Sequence, residues 1–253
     1  MIVLAADYVG YEIIDFLIKS NEQIDYLVLD EKNRGNYNEK IILTFTSKYN
    51  KEKIIYNDQL SDSKFVDVLE NIHVDMGLLA WWPYIIKGKL LSIPKNGWIN
   101  LHPSYLPFNR GKHPNFWCLV DETPCGVSLQ LIDEGIDTGD ILARKKIVTS
   151  WEDTGKTIYE KSRLAIIELF KDKFQTIKQH QQKIKQNPDE GSFHKSSEIE
   201  EICRINLDEM YSARKLFNII RGKIFYPYPT AYFISNGIKY SVTIKIEKIN
   251  NDC

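Results

Sequence analysis

The hydrophobic pattern of the chain changes rhythm along its length. It opens with the apolar run "MIVLAA", after which "GYEIIDFLIKSN" carries Ile13, Ile14, Leu17 and Ile18 at the spacing of a helix that buries one face. "IDYLVLD" is a second apolar run. Strand, helix, strand at this spacing predicts a βαβ unit, since parallel pairing requires a right-handed crossover. "SKFVDVLENIH" followed by "DMGLLAWW" repeats the pattern, and "GWINLH" adds a strand after a loop punctuated by Pro and Gly. The expected fold class is α/β: an open, mostly parallel, Rossmann-like twisted sheet with flanking helices.

The second rhythm begins at "GVSLQLI" and "DILARKKIVT", two strand-like runs joined by "DEGIDTG", a connection short enough for a hairpin and too short for a crossover. A long helix is expected from about Asp153, whose side chain is the candidate cap, through "TGKTIYEKSRLAIIELFKDKFQTIKQHQQKIK", closed by Pro188 and Gly191. "NPDEGSFHKSSE" reads as a linker. Beyond it come a short helix in "NLDEMYSARKLFNIIRG" and two strand-like runs, "TAYFISN" and "KYSVTIKIEKI", meeting at Asn236-Gly237, a dipeptide that favours a two-residue hairpin turn. The expected division is a catalytic domain over 1–187 and a small helix-plus-hairpin extension over 188–253.

Composition narrows the function classes. At 253 residues and 43% apolar content the chain can bury a substantial core. Lys plus Arg total 33 against 34 Asp plus Glu, so there is no long-range field for a phosphate backbone or an anionic bilayer, and neither nucleic acid nor membrane is an expected partner. Cys118, Cys125, Cys203 and Cys253 form no CxxC pair and are expected as separate structural thiols in a reducing compartment. No run approaches a membrane span and the start lacks a signal-peptide pattern, so a cytoplasmic location is expected.

The candidate chemistry lies in "NLHPSYLPFNRGKHPNFW". In an extended "WINLH", Trp98, Asn100 and His102 project to one face. Pro103 ends the strand there, which places Asn100 and His102 at its carboxyl end, the edge where open parallel sheets hold ligands. Spacing alone leaves open that both side chains only satisfy local backbone groups. The same local reading applies to His73, His113, His180 and His194, and no HExxH-type helix points to a metal. The acidic connection supplies Asp133, Glu134, Asp137 and Asp140, which can be solvated turn carboxylates or calcium ligands, although the spacing misses an EF-hand loop. Gly135 and Gly139 would permit a tight bend that turns Asp137 inward and makes it a candidate partner for His102.

Together, "GWINLHPSYLPFNRG" and "GVSLQLIDEGIDTGDIL" resemble the folate-dependent formyltransferases, the family of methionyl-tRNA formyltransferase, glycinamide ribonucleotide transformylase and the sugar N-formyltransferases. The resemblance implies the formyltransferase fold, with 10-formyltetrahydrofolate as co-substrate, an amine as acceptor and no metal. It places Asn100, His102 and Asp137 on the family's catalytic Asn, His and Asp. Asn100 would donate to a developing oxyanion, a contact of roughly 3 kcal/mol in comparable sites. His102 would exchange protons with the amine, and Asp137 would orient its imidazole.

The resemblance further implies a folate slot with Trp82, Tyr84 and Ile85 on one wall and Glu134, Gly135 and Ile136 on the other. On the acceptor side, Arg110, Lys112 and Arg221 are candidates for phosphate, and Phe225, Tyr226 and Tyr228 for stacking on a base. Within that family, a near-neutral chain with a short tail departs from the larger, basic C-terminal barrel of methionyl-tRNA formyltransferase. The resemblance then implies a nucleotide-linked amino sugar as acceptor, a dTDP-4-amino-4,6-dideoxyhexose for bacterial surface polysaccharide (O-antigen). The C-terminal hairpin is a candidate for homodimer formation or for packing back on the catalytic domain. Methionyl-tRNA or another amine remains open as acceptor, and so does a non-catalytic protein that only binds folate or nucleotide sugar.

Overall fold

A computed structural model describes residues 1–30, 37–179 and 182–249. His180 and Cys253, both read in the sequence, lie outside the described residues. The first half alternates β1 (Ile2–Ala5), α1 (Asp7–Lys19), β2 (Tyr26–Leu29), α2 (Asn38–Thr46), β3 (Ile54–Tyr56), α3 (Ser63–Asn71), β4 (Gly77–Ala80), α4 (Lys89–Ser92) and β5 (Trp98–His102). Then follow β6 (Arg110–Gly111), α5 (Pro114–Val120), β7 (Gly126–Leu131), β8 (Ile141–Lys146), α6 (Gly155–Gln179), β9 (Phe193–His194), α7 (Glu198–Ile202), α8 (Ala213–Gly222), β10 (Ala231–Ser235) and β11 (Ile238–Val242).

Seven strands form one sheet in the order β3-β2-β1-β4-β5-β7-β8. Strands β1 to β5 pair in parallel, and β7 runs antiparallel to β5. The α/β expectation holds, and the change to a hairpin after β7 is where the sequence rhythm changes. The order steps outward from β1 to β3 and returns on the other side at β4, which makes the carboxyl ends of β1 and β4 a topological switch point. Two non-glycine residues take left-handed backbone there, Asp7 with φ 56° and Trp81 with φ 63°. For a tryptophan this conformation is sterically costly, and such strain concentrates at ligand-facing turns.

The chain forms two compact units. The first holds the described residues of Met1–His102, Ser128–Ala143 and Ile166–Gln186. Its core gathers Ile2, Leu4, Val28, Leu79, Trp82 and Trp98 with their neighbours. Gly77 is required here: it lies opposite Trp98 in the β4–β5 register, and a Cβ at that position would collide with the indole. The Trp98 Nε1 donates to the Leu90 carbonyl at 2.7 Å, so the ring is fixed at both ends.

The second unit holds Pro103–Val127, Arg144–Ala165 and the described residues from Asn187 onward. Its core packs α5 on α8 through Phe116, Trp117, Ile219 and Ile220, with Cys203 and Ala231. The hairpin β10–β11 closes at Asn236 and Gly237 with φ 49° and 77°, as a two-residue turn with both central residues left-handed requires.

Two expectations are corrected in this unit. Cys118 and Cys125 are joined in a disulfide with Cα atoms 5.2 Å apart, because the chain leaves α5 and doubles back into β7 within seven residues. Cys203 is a buried free thiol, and burial pushes its pKa up to about 12. The helix α6 is capped by Thr154 in place of Asp153: the Thr157 backbone N–H donates to the Thr154 hydroxyl at 3.3 Å, and the Thr154 N–H donates to the Thr157 hydroxyl at 2.9 Å. Asp153 instead accepts from the Ser150 N–H, the Thr157 hydroxyl and Lys161.

Candidate active site

Strand β5 carries Asn100 and His102 two residues apart and therefore on one face, as the alternation predicts. The antiparallel register sets Gln130 of β7 opposite Asn100 and Ser128 opposite His102, so four polar side chains share that face at the carboxyl end of β5. His102, Ser128 and Gln130 are buried, whereas Asn100 is half-buried. The partial exposure of Asn100 lets its amide N–H donors reach a ligand.

Asp137 approaches from the connection between β7 and β8. Its backbone is left-handed, with φ 54°, and that bend aims the carboxylate back at the sheet. Asp137 Oδ1 lies 3.3 Å from His102 Nδ1 and accepts from Gln130 Nε2 at 2.9 Å. A carboxylate has only acceptors to offer, so the imidazole proton sits on Nδ1 and Nε2 is the basic atom of the neutral ring. The structure thus brings His102 and Asp137 into contact and sets Asn100 on the same face. Gln130 touches Asp137 and stands opposite Asn100.

Gln130 and Gln186 are the parts that sequence reasoning missed. Gln186 Nε2 donates to the Gly139 carbonyl at 2.6 Å, the Asp137 carbonyl at 2.9 Å and Gln130 Oε1 at 3.2 Å. A signal for Gln130 existed: in "GVSLQLI", Ser128 and Gln130 alternate with apolar residues in a strand buried on both faces, and a buried amide demands partners. No local pattern marks Gln186, which follows the long helix.

The residues expected around folate are less uniform. Trp82 is mostly buried beside Ile86, Leu90 and Trp98, with one edge on the cleft described below. Tyr84 and Ile85 are exposed, and the Tyr84 hydroxyl donates to Asp30 Oδ2 at 2.7 Å, a bond that raises its pKa. A cleft of about 440 Å³ is lined by Leu60, Asp67, Trp82, Ile85, Lys87 and Leu90, with no member of the polar cluster on its wall. Glu134 and Ile136 are exposed on the acidic connection, and a Cβ on Gly135 would strike the Thr138 hydroxyl.

Of the acceptor candidates, all in the second unit, Tyr226 and Tyr228 are exposed, and Phe225 packs edge-on against Tyr228. Arg110 is half-buried with its Nε unpartnered among the described residues, and Lys112 is exposed. Arg221 departs from the phosphate role. It is buried, and its Nε donates to Asn218 Oδ1 at 2.8 Å. Its Nη1 donates to the carbonyls of Ser150, Trp151 and Asp153.

A doubly wound sheet carries at its carboxyl edge a buried His102 in contact with a half-buried Asp137, and a half-buried Asn100 on the same face; an amide can donate to a developing negative charge and an oriented imidazole can move a proton. The family model described as formyl transferase matches residues 13–171, and the chain belongs to that family. A second model, the N-formyltransferase dimerization C-terminal domain, matches residues 198–248.

The methionyl-tRNA formyltransferase of Thermodesulfovibrio yellowstonii is 35% identical over 178 residues, covering 69% of this chain and 56% of that protein. The chain spans about half the length of the curated relatives it matches. Among solved structures, a 4-N formyltransferase from Francisella tularensis superposes with a TM-score of 0.81 at 24% identity, over 98% of both chains. The N-formyltransferase of Helicobacter canadensis, solved with folinic acid and dTDP-3-aminofucose, gives a TM-score of 0.72 at 17% identity, over 93% of this chain and 84% of that one. At these identities the two structures establish the fold.

Among the described residues no helix is long and apolar enough to cross a membrane, and no group of three or more His, Cys, Asp or Glu side chains could hold a metal ion.

Proposed function

We propose that this chain transfers a formyl group from 10-formyltetrahydrofolate to the amino group of a nucleotide-linked amino sugar, a dTDP-4-amino-4,6-dideoxyhexose destined for bacterial surface polysaccharide. The observation that carries the reading is the contact of His102 with Asp137, with the half-buried Asn100 on the same face of β5. The amine nitrogen adds to the formyl carbon, the bond from that carbon to the folate nitrogen breaks, and one proton passes from the amine to the leaving nitrogen. Asn100 donates to the oxyanion formed on addition. The oriented His102 takes the amine proton and returns it to the folate nitrogen, so no covalent enzyme intermediate is needed.

In this reading residues 1–187 carry the chemistry, with Trp82, Tyr84, Ile85, Glu134, Gly135 and Ile136 touching folate. Arg110 and Lys112 meet the acceptor phosphates. Phe225, Tyr226 and Tyr228 offer ring faces to the base, which suits their exposure. Residues 188–253 pair two copies through the C-terminal region, a role supported by the dimerization model that matches there. The sugar acceptor is supported by the likeness in fold to the Helicobacter protein, which was solved with dTDP-3-aminofucose.

The test is to mix the protein with 10-formyltetrahydrofolate and a panel of dTDP- and UDP-linked amino sugars, with methionyl-tRNA as a separate arm, and to read product masses. The expected result is a gain of one formyl group on a dTDP-linked 4-amino sugar. Product on methionyl-tRNA alone overturns the acceptor, and ligand binding without product in any arm overturns catalysis.

A further inference from the structure

The amides beneath the acidic connection, Gln130 buried and Gln186 half-buried, do more than fill space. The segment after α6 returns to the sheet edge, where Ile184 and Ile141 exchange both backbone hydrogen bonds at 2.8 and 2.9 Å. Two residues later the Gln186 side chain enters the turn that carries Asp137. Its three neighbours are two backbone carbonyls and the amide oxygen of Gln130, all acceptors, so only the NH₂ end of Gln186 can face them. Its own Oε1 is buried with no partner among the described residues. A side chain that leaves its acceptor unsatisfied while its donor serves three oxygens is held there for its donor.

These bonds form one directed chain. Gln186 donates to Gln130, Gln130 donates to Asp137 Oδ1, and Asp137 faces His102 Nδ1. In parallel, Gln186 holds the carbonyl of Asp137, whose own backbone is left-handed, and the carbonyl of Gly139 two residues on. Both the backbone and, through Gln130, the carboxylate of Asp137 are therefore fixed from one side chain.

We propose that Gln186 is a positioning residue for formyl transfer, acting through Asp137 on the orientation and proton placement of His102. The inference rests on the proposed formyl transfer and adds to it a residue that does not touch the reacting atoms. A group that acts only by aligning another influences turnover more than binding, and its effect disappears once the aligned group is disabled.

The experiment compares wild type, Gln186→Leu, Asp137→Asn and the double variant, measuring kcat and KM together with the ¹⁵N-imidazole resonances of His102. Gln186→Leu is expected to lower kcat about 10- to 100-fold with KM changed less than about threefold. In the Asp137→Asn background the same substitution is expected to change kcat less than about twofold, and the His102 resonances are expected to move in the same direction in both single variants. Gln186→Met, of similar length and without a donor, serves the same comparison if the leucine variant does not fold.

Unaltered kcat, or an equal loss in the presence and absence of the Asp137 carboxylate, overturns the inference. So do unmoved His102 resonances. If wild type formylates no acceptor while the resonances shift as expected, the functional reading fails and the positioning role stands.

Discussion

Arg221 separates two roles that make opposite predictions. Read from sequence, it is a phosphate contact; in the structure its guanidinium is buried and bonded to four oxygens, those of Asn218, Ser150, Trp151 and Asp153. It also lies 4.7 Å from the centroid of the Trp151 ring. Arg221→Met keeps most of the apolar stem and strips every donor, leaving three backbone carbonyls ahead of α6 and one buried amide oxygen without their charged partner.

Hydrogen bonds to a charged group contribute about 1.5–3 kcal/mol each, but one Nη1 shared among three carbonyls does not count threefold, and the exposed side of the Trp151 turn can rehydrate. About 3–5 kcal/mol of unfolding free energy is the expected loss, at the upper end for a single substitution. Arg221→Lys, a point charge able to satisfy one or two of the four acceptors, is expected to lose about half as much.

Urea denaturation followed by tryptophan fluorescence reads the stability, and a titration of acceptor concentration reads KM. A loss under about 1 kcal/mol in Arg221→Met, accompanied by a tenfold rise in acceptor KM, would show that this guanidinium meets the ligand and that the clamp reasoning is wrong.

Three further outcomes follow from the geometry. Asn100→Ala and His102→Ala are each expected to lower kcat by at least about 100-fold while folate affinity, read by calorimetry, stays within a few-fold, because both act on the transition state; unchanged turnover removes the residue from its role. Gly77→Ala forces a methyl into the Trp98 indole and is expected to cost about 1–3 kcal/mol in denaturant unfolding and to lower kcat, since Trp98 precedes Asn100 by two residues on the same face; a neutral variant would show that the strands yield freely.

His113 has its pKa lowered first by burial and then by Lys223 and Lys112, with Glu200 opposing. The fold thus favours the neutral ring, and its contribution to stability is present above the unfolded value near 6.5 and lost as pH falls from there through the lower folded value. His113→Asn, which tolerates the left-handed φ of 58° at this position, is expected to flatten the loss of melting temperature between about pH 6.5 and 5; an unchanged slope would refute the assignment.

What could be read from sequence follows the range of the forces involved. The βαβ alternation, the switch to a hairpin and the Asn236-Gly237 turn are written in local periodicity and local backbone preference, and all three hold in the structure. The pairing of Asn100 with His102 on one face is likewise a consequence of strand geometry. The placement of Asp137 needed a bend that Gly135 and Gly139 only permit; the structure shows the bend in Asp137 itself, with positive φ on a residue that is not glycine.

The misreadings share another cause. Asp153 and Thr154 are both good caps by type, and the choice was made by Lys161 and the Ser150 N–H, which engage the aspartate elsewhere. Helix α5 hides in a segment rich in proline because Pro114 occupies the first helical position, where its missing N–H costs nothing. Its "PNFWCLV" is too short to show a period. The burial of Arg221 and the engagement of Gln130 and Asp137 by Gln186 are decided by tertiary neighbours that no window of sequence contains. A polar residue in an otherwise buried strand nevertheless leaves a trace: Gln130 is 1% exposed, and an amide so placed must find partners or destabilise the fold. Asking where those partners lie leads from β7 to Asp137 on one side and Gln186 on the other, so an unpaired polarity in the hydrophobic pattern is a pointer to the site even where it cannot name the residues that complete it.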